Sequence, residues 1–279
     1  MNPWQGTNQY LLVVSRAFRA MLNLRAWLPF LAYALAQGLV MILLYLGVRP
    51  PLNALFAAMP KSLVPPAFFS YPTHLLMIPA LLYNRAMIPL GLLLESLLTA
   101  AGTWVFVRYA RRQPLPGLGR ALAEVRFGYL QFMCFWLASF VLLQGSTWLF
   151  NLAFGDLWVG FARRRALLEL VHLGVGAFFN SLLAYATIVI VVEKTALGAT
   201  WTRSLAVFRR HWLATIFTVL LGTLLTVPLG RLLETSPDWI GRFHPEVVLV
   251  VTGLTLLCGA LVSFLVTAIL TFWYLMQHA

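Results

Sequence analysis

The chain has 279 residues, 61% hydrophobic and only 10% charged, which leaves too little charge to cover the surface of a soluble domain. Its formal net charge is +12, yet the basic residues flank apolar runs instead of forming a soluble basic patch, which excludes nucleic acid and favours anionic lipid headgroups as partner. The two cysteines, Cys134 and Cys258, both lie in apolar runs and give neither a disulfide framework nor a metal or redox spacing.

Residues 1–10 lack the charged region that opens a secretory signal, and Arg16 and Arg19 interrupt the next apolar stretch, so neither cleavage nor lipidation is expected. Residues 11–25 read as a basic amphipathic helix, with Leu11, Val14, Phe18, Met21 and Leu22 on one face and Arg16, Arg19 and Asn23 on the other. A first span follows over 26–48, because about 20 apolar residues cross the hydrocarbon core as a helix. Residues 50–84 then hold seven prolines and only Lys61 and His74 as residues able to carry charge. Pro60, Pro65, Pro66, Pro72 and Pro79 cut this stretch into pieces too short to cross, while Phe68, Phe69, Tyr71 and Leu75 to Ile78 want burial. Short helices in the outer interface or capping the bundle are predicted; a lid or re-entrant element over a cavity is the functional alternative.

The second span is predicted over 86–107. A second basic helix, 116–126, sets Leu118, Leu122 and Val125 opposite Arg120 and Glu124, and leads into a third span at 127–155. The fourth span covers 166–192. A third basic helix, 198–211, sets Trp201, Leu205, Phe208 and Trp212 against Arg203 and Arg210, and runs into a fifth span at 212–230. The sixth span is 247–277. It and the third exceed a perpendicular crossing, which implies tilt or helix beyond the bilayer.

The pattern predicts an all-α polytopic membrane protein, one membrane domain over 1–279, with six transmembrane helices and three basic amphipathic interfacial helices. Each basic helix leads one pair of spans, which points to three parallel two-helix repeats. With the N-terminus inside, twelve basic residues lie on inner segments and eight on outer ones, so the positive-inside rule favours N-in and C-in. Arg163, Arg164 and Arg165 are the exception, on an outer loop.

Polar residues within spans are the candidates for function. Glu95 sits among leucines in the second span, where an ionised carboxylate is costly; it is expected to bind a cation, relay a proton, grip a headgroup, or bond as a neutral carboxyl to Asn180, Ser96 or Thr99. Glu169 and His172, three apart, share a helix face as in carboxylate-bridged metal sites, but those need two such pairs with further Glu residues, so a polar contact with Arg163 or Arg165 is the expectation and no metal is assigned. Asn180, Gln144 and Asn151 are read as interhelical hydrogen-bonding groups, and Gly174, Gly176, Gly222, Gly230, Gly253 and Gly259 as sites of close helix approach. Arg16, Arg19, Arg120, Arg203 and Arg210 are the expected contacts to anionic lipid or to a partner. No catalytic motif, phosphate loop or cofactor site is present in the sequence.

One segment carries a family resemblance. Val192-Glu193-Lys194, Leu197-Gly198-Ala199, Trp201-Thr202-Arg203-Ser204-Leu205 and Phe208-Arg209-Arg210-His211-Trp212, followed by a span ending near Pro228, is similar to the cytoplasmic helix and fifth span of YciC-like proteins and of the membrane domain of some glycerophosphodiester phosphodiesterases. The resemblance implies a six-span bacterial inner-membrane protein with interfacial helices; the soluble phosphodiesterase domain is absent, so no catalytic residue comes with it. The expected role is non-enzymatic, in envelope maintenance, lipid or amphiphile handling, or as a membrane-complex subunit. The alternatives are the permease of an ABC-type transporter served by a cytoplasmic ATPase, and an intramembrane enzyme using Glu95 with Glu169 and His172. The permease alternative is disfavoured by the short loop from Glu234 to Pro245, where ABC-2 permeases usually carry a re-entrant element.

Overall fold

The computed structural model describes residues 3–61, 64–154, 162–235 and 244–278, leaving aside the side chains of 3–7, 84 and 162–166. Every regular element among the described residues is helical. Six helical stretches are long and apolar enough to cross a membrane: Leu24–Leu46, Met87–Ala110, Leu118–Phe154, Leu167–Glu193, Leu197–Glu234 and Val247–His278. The protein is an all-α polytopic membrane protein. The loop between Glu234 and Pro245, and any contact to Arg163 or Arg165, fall outside the described residues.

Helix α1 (Pro3–Met21) stops at Leu22 and Asn23, and α2 (Leu24–Leu46) begins directly after, a break inside the stretch 11–25 that periodicity reads as one helix. Asn23 Oδ1 accepts the Arg25 backbone N–H at 3.1 Å, as an N-cap does. The Trp27 indole N–H donates to the Met21 carbonyl at 2.9 Å, satisfying an acceptor that the last turn of α1 leaves open.

The proline-rich stretch folds as α3 (Leu52–Ala57), a 3-10 turn (Pro66–Phe69) and α4 (Thr73–Leu81). Two π turns, Leu82–Ala86 and Gly91–Glu95, then bracket the short α5 (Met87–Leu90). Pro89 lies between them and has no N–H to return to the Arg85 carbonyl, so regular α-helical bonding cannot run through. In the first wide turn the Met87 N–H reaches back to the Leu82 carbonyl instead. Regular helix resumes as α6 (Ser96–Ala110).

The basic helix α7 (Leu118–Val125) joins α8 (Tyr129–Phe154) through a 3-10 turn at Arg126–Gly128. The fourth span, expected as one helix, is two: α9 (Ala162–Leu182) and α10 (Ala186–Glu193), separated by a turn in which Ala184 N–H bonds to the Ser181 carbonyl and Ala186 N–H to that of Leu183. Helix α11 (Leu197–Glu234) carries both the third basic stretch and the fifth span, with a kink at His211 (φ −128°, ψ 27°) between them. Helix α12 (Val247–His278) ends the described chain.

The chain packs as two compact units: unit 1 comprises residues 1–29, 96–224 and 263–279, and unit 2 comprises 30–95 and 225–262. In unit 1, α6 packs against α7, α8 and α10; its buried run includes the small residues Ala100, Ala101, Gly102 and Thr103, which let neighbouring backbones approach. Each basic helix turns a stripe of small or medium residues inward: Val13, Ala17 and Ala20 on α1, Ala121 and Val125 on α7, and Thr200, Ser204 and Val207 on α11. The bulky apolar groups Leu11, Phe18, Leu22, Trp201 and Trp212 are exposed. The wheel finds the apolar faces of these helices, but on α1 and α7 the smaller side chains make the protein contact, because they permit the closer approach; on α11 the bulky Phe208 is buried as well.

Unit 2 is built on the proline-rich stretch. Phe68, Leu75, Ile78, Leu81 and Leu82 form one buried cluster with Leu44, Val64 and Leu256, whereas Phe69 and Tyr71 stay exposed. His74 is buried in α4 beside the rings of Tyr45 and Tyr71, at centroid distances of 6.4 and 5.8 Å.

The glycines expected to permit close approach do not do so at Gly174, Gly230, Gly253 and Gly259, where an added Cβ would meet nothing within 4 Å. Crowding occurs at Gly128, whose Cβ would lie 2.8 Å from both Ile190 Cγ2 and Phe132 Cζ, and at Gly47, 2.9 Å from the Phe56 ring.

Gly128→Ala is expected to destabilise unit 1 by about 1–3 kcal/mol through overpacking. Gly145→Ala, in α8 with open space around it, should be neutral or stabilising by up to about 1 kcal/mol. Thermal unfolding of both variants in one detergent separates them; equal midpoints would contradict the packing at Gly128.

Burial lowers the pKa of His74, opposed in part by the Ser70 backbone and Glu246 and reinforced by Arg49. Above the ordinary value of 6.5 the imidazole is neutral whether folded or unfolded, and the cluster has its full stability. As pH falls below that value the unfolded chain takes up the proton first, so stability is lost until the folded imidazole also protonates. Protection of the amides across residues 66–82, taken relative to the intrinsic exchange rate at each pH, should therefore be lower at about pH 5 than at about pH 7.5, and His74→Gln should flatten the difference.

Candidate functional site

Unit 2 holds a polar cluster between α2 and the irregular start of the second span. Tyr33 and Gln37 are one helical turn apart on α2, so their side chains share a face. Gln37 is 5% exposed although it is an amide in an apolar helix. The Tyr33 O–H donates to Glu95 Oε2 at 3.1 Å and lies 4.0 Å from Met87 Sδ, and Gln37 Nε2 donates to the same sulfur at 3.1 Å. Glu95 closes the second π turn. The extra residue of a π turn rotates the next part of the helix about its axis, and such turns recur at functional sites. This grouping sets a hydroxyl donor of one helix against the carboxyl of another in an apolar segment, where such a group needs a partner from outside its own helix.

A second cluster lies in unit 1, where Glu193 ends α10. Glu193 Oε1 accepts the Tyr274 O–H from α12 and Arg203 Nε from α11, the latter at 3.4 Å. His278 stacks on Tyr274 with centroids 4.2 Å apart, and its Nδ1 lies 2.9 Å from the Tyr274 carbonyl. Lys194, in left-handed conformation at φ 52°, ends α10 and sets its ammonium 5.4 Å from the Phe127 ring centre. Further into the unit, Tyr185 and Thr215 hydroxyls pair at 3.0 Å, and those of Tyr10 and Thr218 at 2.8 Å. These bonds tie α1, α10, α11 and α12 together, which is the structural role of polar pairs in apolar surroundings.

The other sequence candidates are placed differently. His172 turns toward α8: its Nε2 lies 3.3 Å from Thr147 Oγ1 and its ring stacks on Phe150 at 4.9 Å. Glu169 is on the same helix, half-buried. Among the described residues no three His, Cys, Asp or Glu side chains come together as metal ligands. Asn180 is exposed on α9. Glu95 belongs to unit 2, and Glu169, His172 and Asn180 to unit 1. Of the basic candidates, Arg203 is engaged by Glu193 and Arg16 lies over the Phe272 ring at 5.9 Å, whereas Arg19, Arg120 and Arg210 are exposed.

Sequence reasoning missed Tyr33, Gln37 and Tyr274, and met Glu193 only within the family resemblance. The first two had a signal: Tyr-x-x-x-Gln is a polar pair at helical spacing inside an apolar run. Tyr274 had none, because its role depends on a carboxylate elsewhere in the chain.

Glu193→Ala should cost about 1–3 kcal/mol by removing the acceptor of two donors. Arg203→Gln should cost less than about 1 kcal/mol, since that ion pair is exposed, with side chains 49% and 27% accessible. Melting midpoints in detergent test the ranking; an Arg203→Gln loss equal to that of Glu193→Ala would contradict it. In comparisons with known proteins, no family model, curated protein or solved structure matches this chain.

Proposed function

We propose that the protein is a non-enzymatic, multi-pass protein of the bacterial inner membrane, with both termini cytoplasmic, that handles anionic lipid or a related amphiphile through the basic surface of unit 1. One observation carries this reading. The twelve basic residues of the expected cytoplasmic segments, from Arg16 to Arg210, all fall within unit 1, and those on α1, α7 and the first part of α11 are exposed. Beside them stand exposed Leu11, Phe18, Trp201 and Trp212. Such pairing suits the headgroup level, where the apolar group enters the acyl region and the guanidinium meets phosphate. A role in envelope maintenance would follow from lipid handling, and kinship with YciC-like proteins belongs to the same reading on the strength of residues 192–228.

The test is native mass spectrometry of protein gently extracted from its own membrane, with co-purifying lipids and proteins identified. Each basic residue near an anionic surface contributes about 1 kcal/mol, so replacing Arg16, Arg19, Arg120 and Arg210 together with Gln should weaken retention of anionic lipid at least about tenfold while zwitterionic lipid is unaffected. Higher salt should act in the same direction. Unchanged retention would overturn the lipid reading, and a stoichiometric ATPase would replace it with a permease.

A further inference from the structure

The basic surface of unit 1 leaves the polar cluster of unit 2 without a role. Glu95 lies inside a helix long and apolar enough to cross a membrane, where a carboxyl group is costly to keep charged and is retained for a reason. Three features of its surroundings bear on that reason. It ends a π turn rather than sitting in regular helix. The facing helix supplies a hydroxyl donor at 3.1 Å, and the supports of that hydroxyl are themselves specific: a Gln amide, 5% exposed, bonded to Met87 across the same helix pair. Finally, Glu95 is only half-buried, and the adjoining Leu93 and Leu94 are exposed, so the residue is not sealed inside the unit.

We propose that Glu95 is a proton-exchange site within the membrane, its carboxyl taking up and releasing a proton at the surface of unit 2. The Tyr33 O–H bonds to the ionised carboxylate and offsets part of its desolvation. When the carboxyl is protonated, its own O–H becomes a donor and the Tyr33 oxygen an available acceptor, so the bond survives in either state with its direction reversed. Gln37 and Met87 hold the two helices in register through both states. The titratable group facing Glu95 from α2 is Tyr33. This site is distinct from the basic helices, and its assignment does not rest on the lipid reading.

Dicyclohexylcarbodiimide tests the proposal in native membranes. This apolar reagent attacks only a protonated carboxyl: the acid proton passes to a carbodiimide nitrogen, the carboxylate oxygen bonds to the central carbon, and rearrangement leaves a stable N-acylurea that adds the whole reagent mass. Peptide mass spectrometry should find the adduct on Glu95, with labelling falling about tenfold per pH unit above the carboxyl's own pKa. Tyr33→Phe, which removes the donor to the ionised form, should move the midpoint of that fall to higher pH. Glu95→Gln should abolish the adduct, and the same peptide labelled in denaturing detergent at low pH gives the positive control. The proposal is overturned if Glu95 stays unlabelled at every pH while the control is labelled, if labelling does not vary with pH, or if Tyr33→Phe leaves the midpoint in place. Protection by sodium ions at constant pH would also overturn it, in favour of a bound metal cation.

Discussion

A peptide group in hydrocarbon has no water to bond with, and each N–H or C=O left open there costs several kcal/mol. This constraint organises the whole chain. It explains why every regular element among the described residues is helical, since a helix satisfies its backbone within one segment. It also explains the ends. The Trp27 indole on the Met21 carbonyl and the Asn23 cap on the Arg25 N–H serve the groups that α1 and α2 cannot serve internally. Around Pro89 the chain adopts wider turns: in the one at Leu82–Ala86 the Met87 N–H keeps a bond to the Leu82 carbonyl, and a second at Gly91–Glu95 follows α5, whereas Pro29 and Pro228 stand inside continuous helices.

Side-chain hydroxyls follow the same rule at small scale. Thr103, Thr215, Thr218 and Thr252 each donate to the carbonyl four residues earlier, at 2.7–2.9 Å, so they bring little unmet polarity to the helix surface. A carboxylate cannot be satisfied this way, because it accepts and the backbone donors of its own helix are already used. Glu95 and Glu193 therefore draw in donors from other helices, Tyr33 in one case and Tyr274 with Arg203 in the other. At these two positions the tertiary structure had to supply the partner, whereas Glu234 pairs with Arg231 of its own helix.

Size, more than polarity, decides which face of α1 and α7 meets protein, while α11 also buries the bulky Phe208. Within hydrocarbon a leucine gains little by exchanging lipid for protein neighbours, so close packing between small residues takes precedence. The inward stripes of Val13, Ala17 and Ala20, and of Ala121 and Val125, reflect this. Leu11, Phe18, Trp201 and Trp212 are left outside beside the arginines. Glycine is not used uniformly for the purpose: Gly128 is crowded by Ile190 and Phe132, whereas Gly174 and Gly253 have open space at the missing Cβ.

The sequence by itself determined the class of the protein, because the length of an apolar run and its flanking charges are set by the thickness and dielectric of the bilayer, not by neighbours in the fold. It also marked Glu95 as out of place, since the cost of a carboxyl among Leu92, Leu93 and Leu94 is visible without coordinates. Only the tertiary structure decided that Tyr33 bonds to it and that Gln37 pairs with Met87, that α9 and α10 divide the fourth span, and that the chain groups into two units. Those features depend on which side chains approach one another across separate helices. Hydropathy is a property of one helix and its solvent, and pairings such as Tyr274 with Glu193 are a property of two.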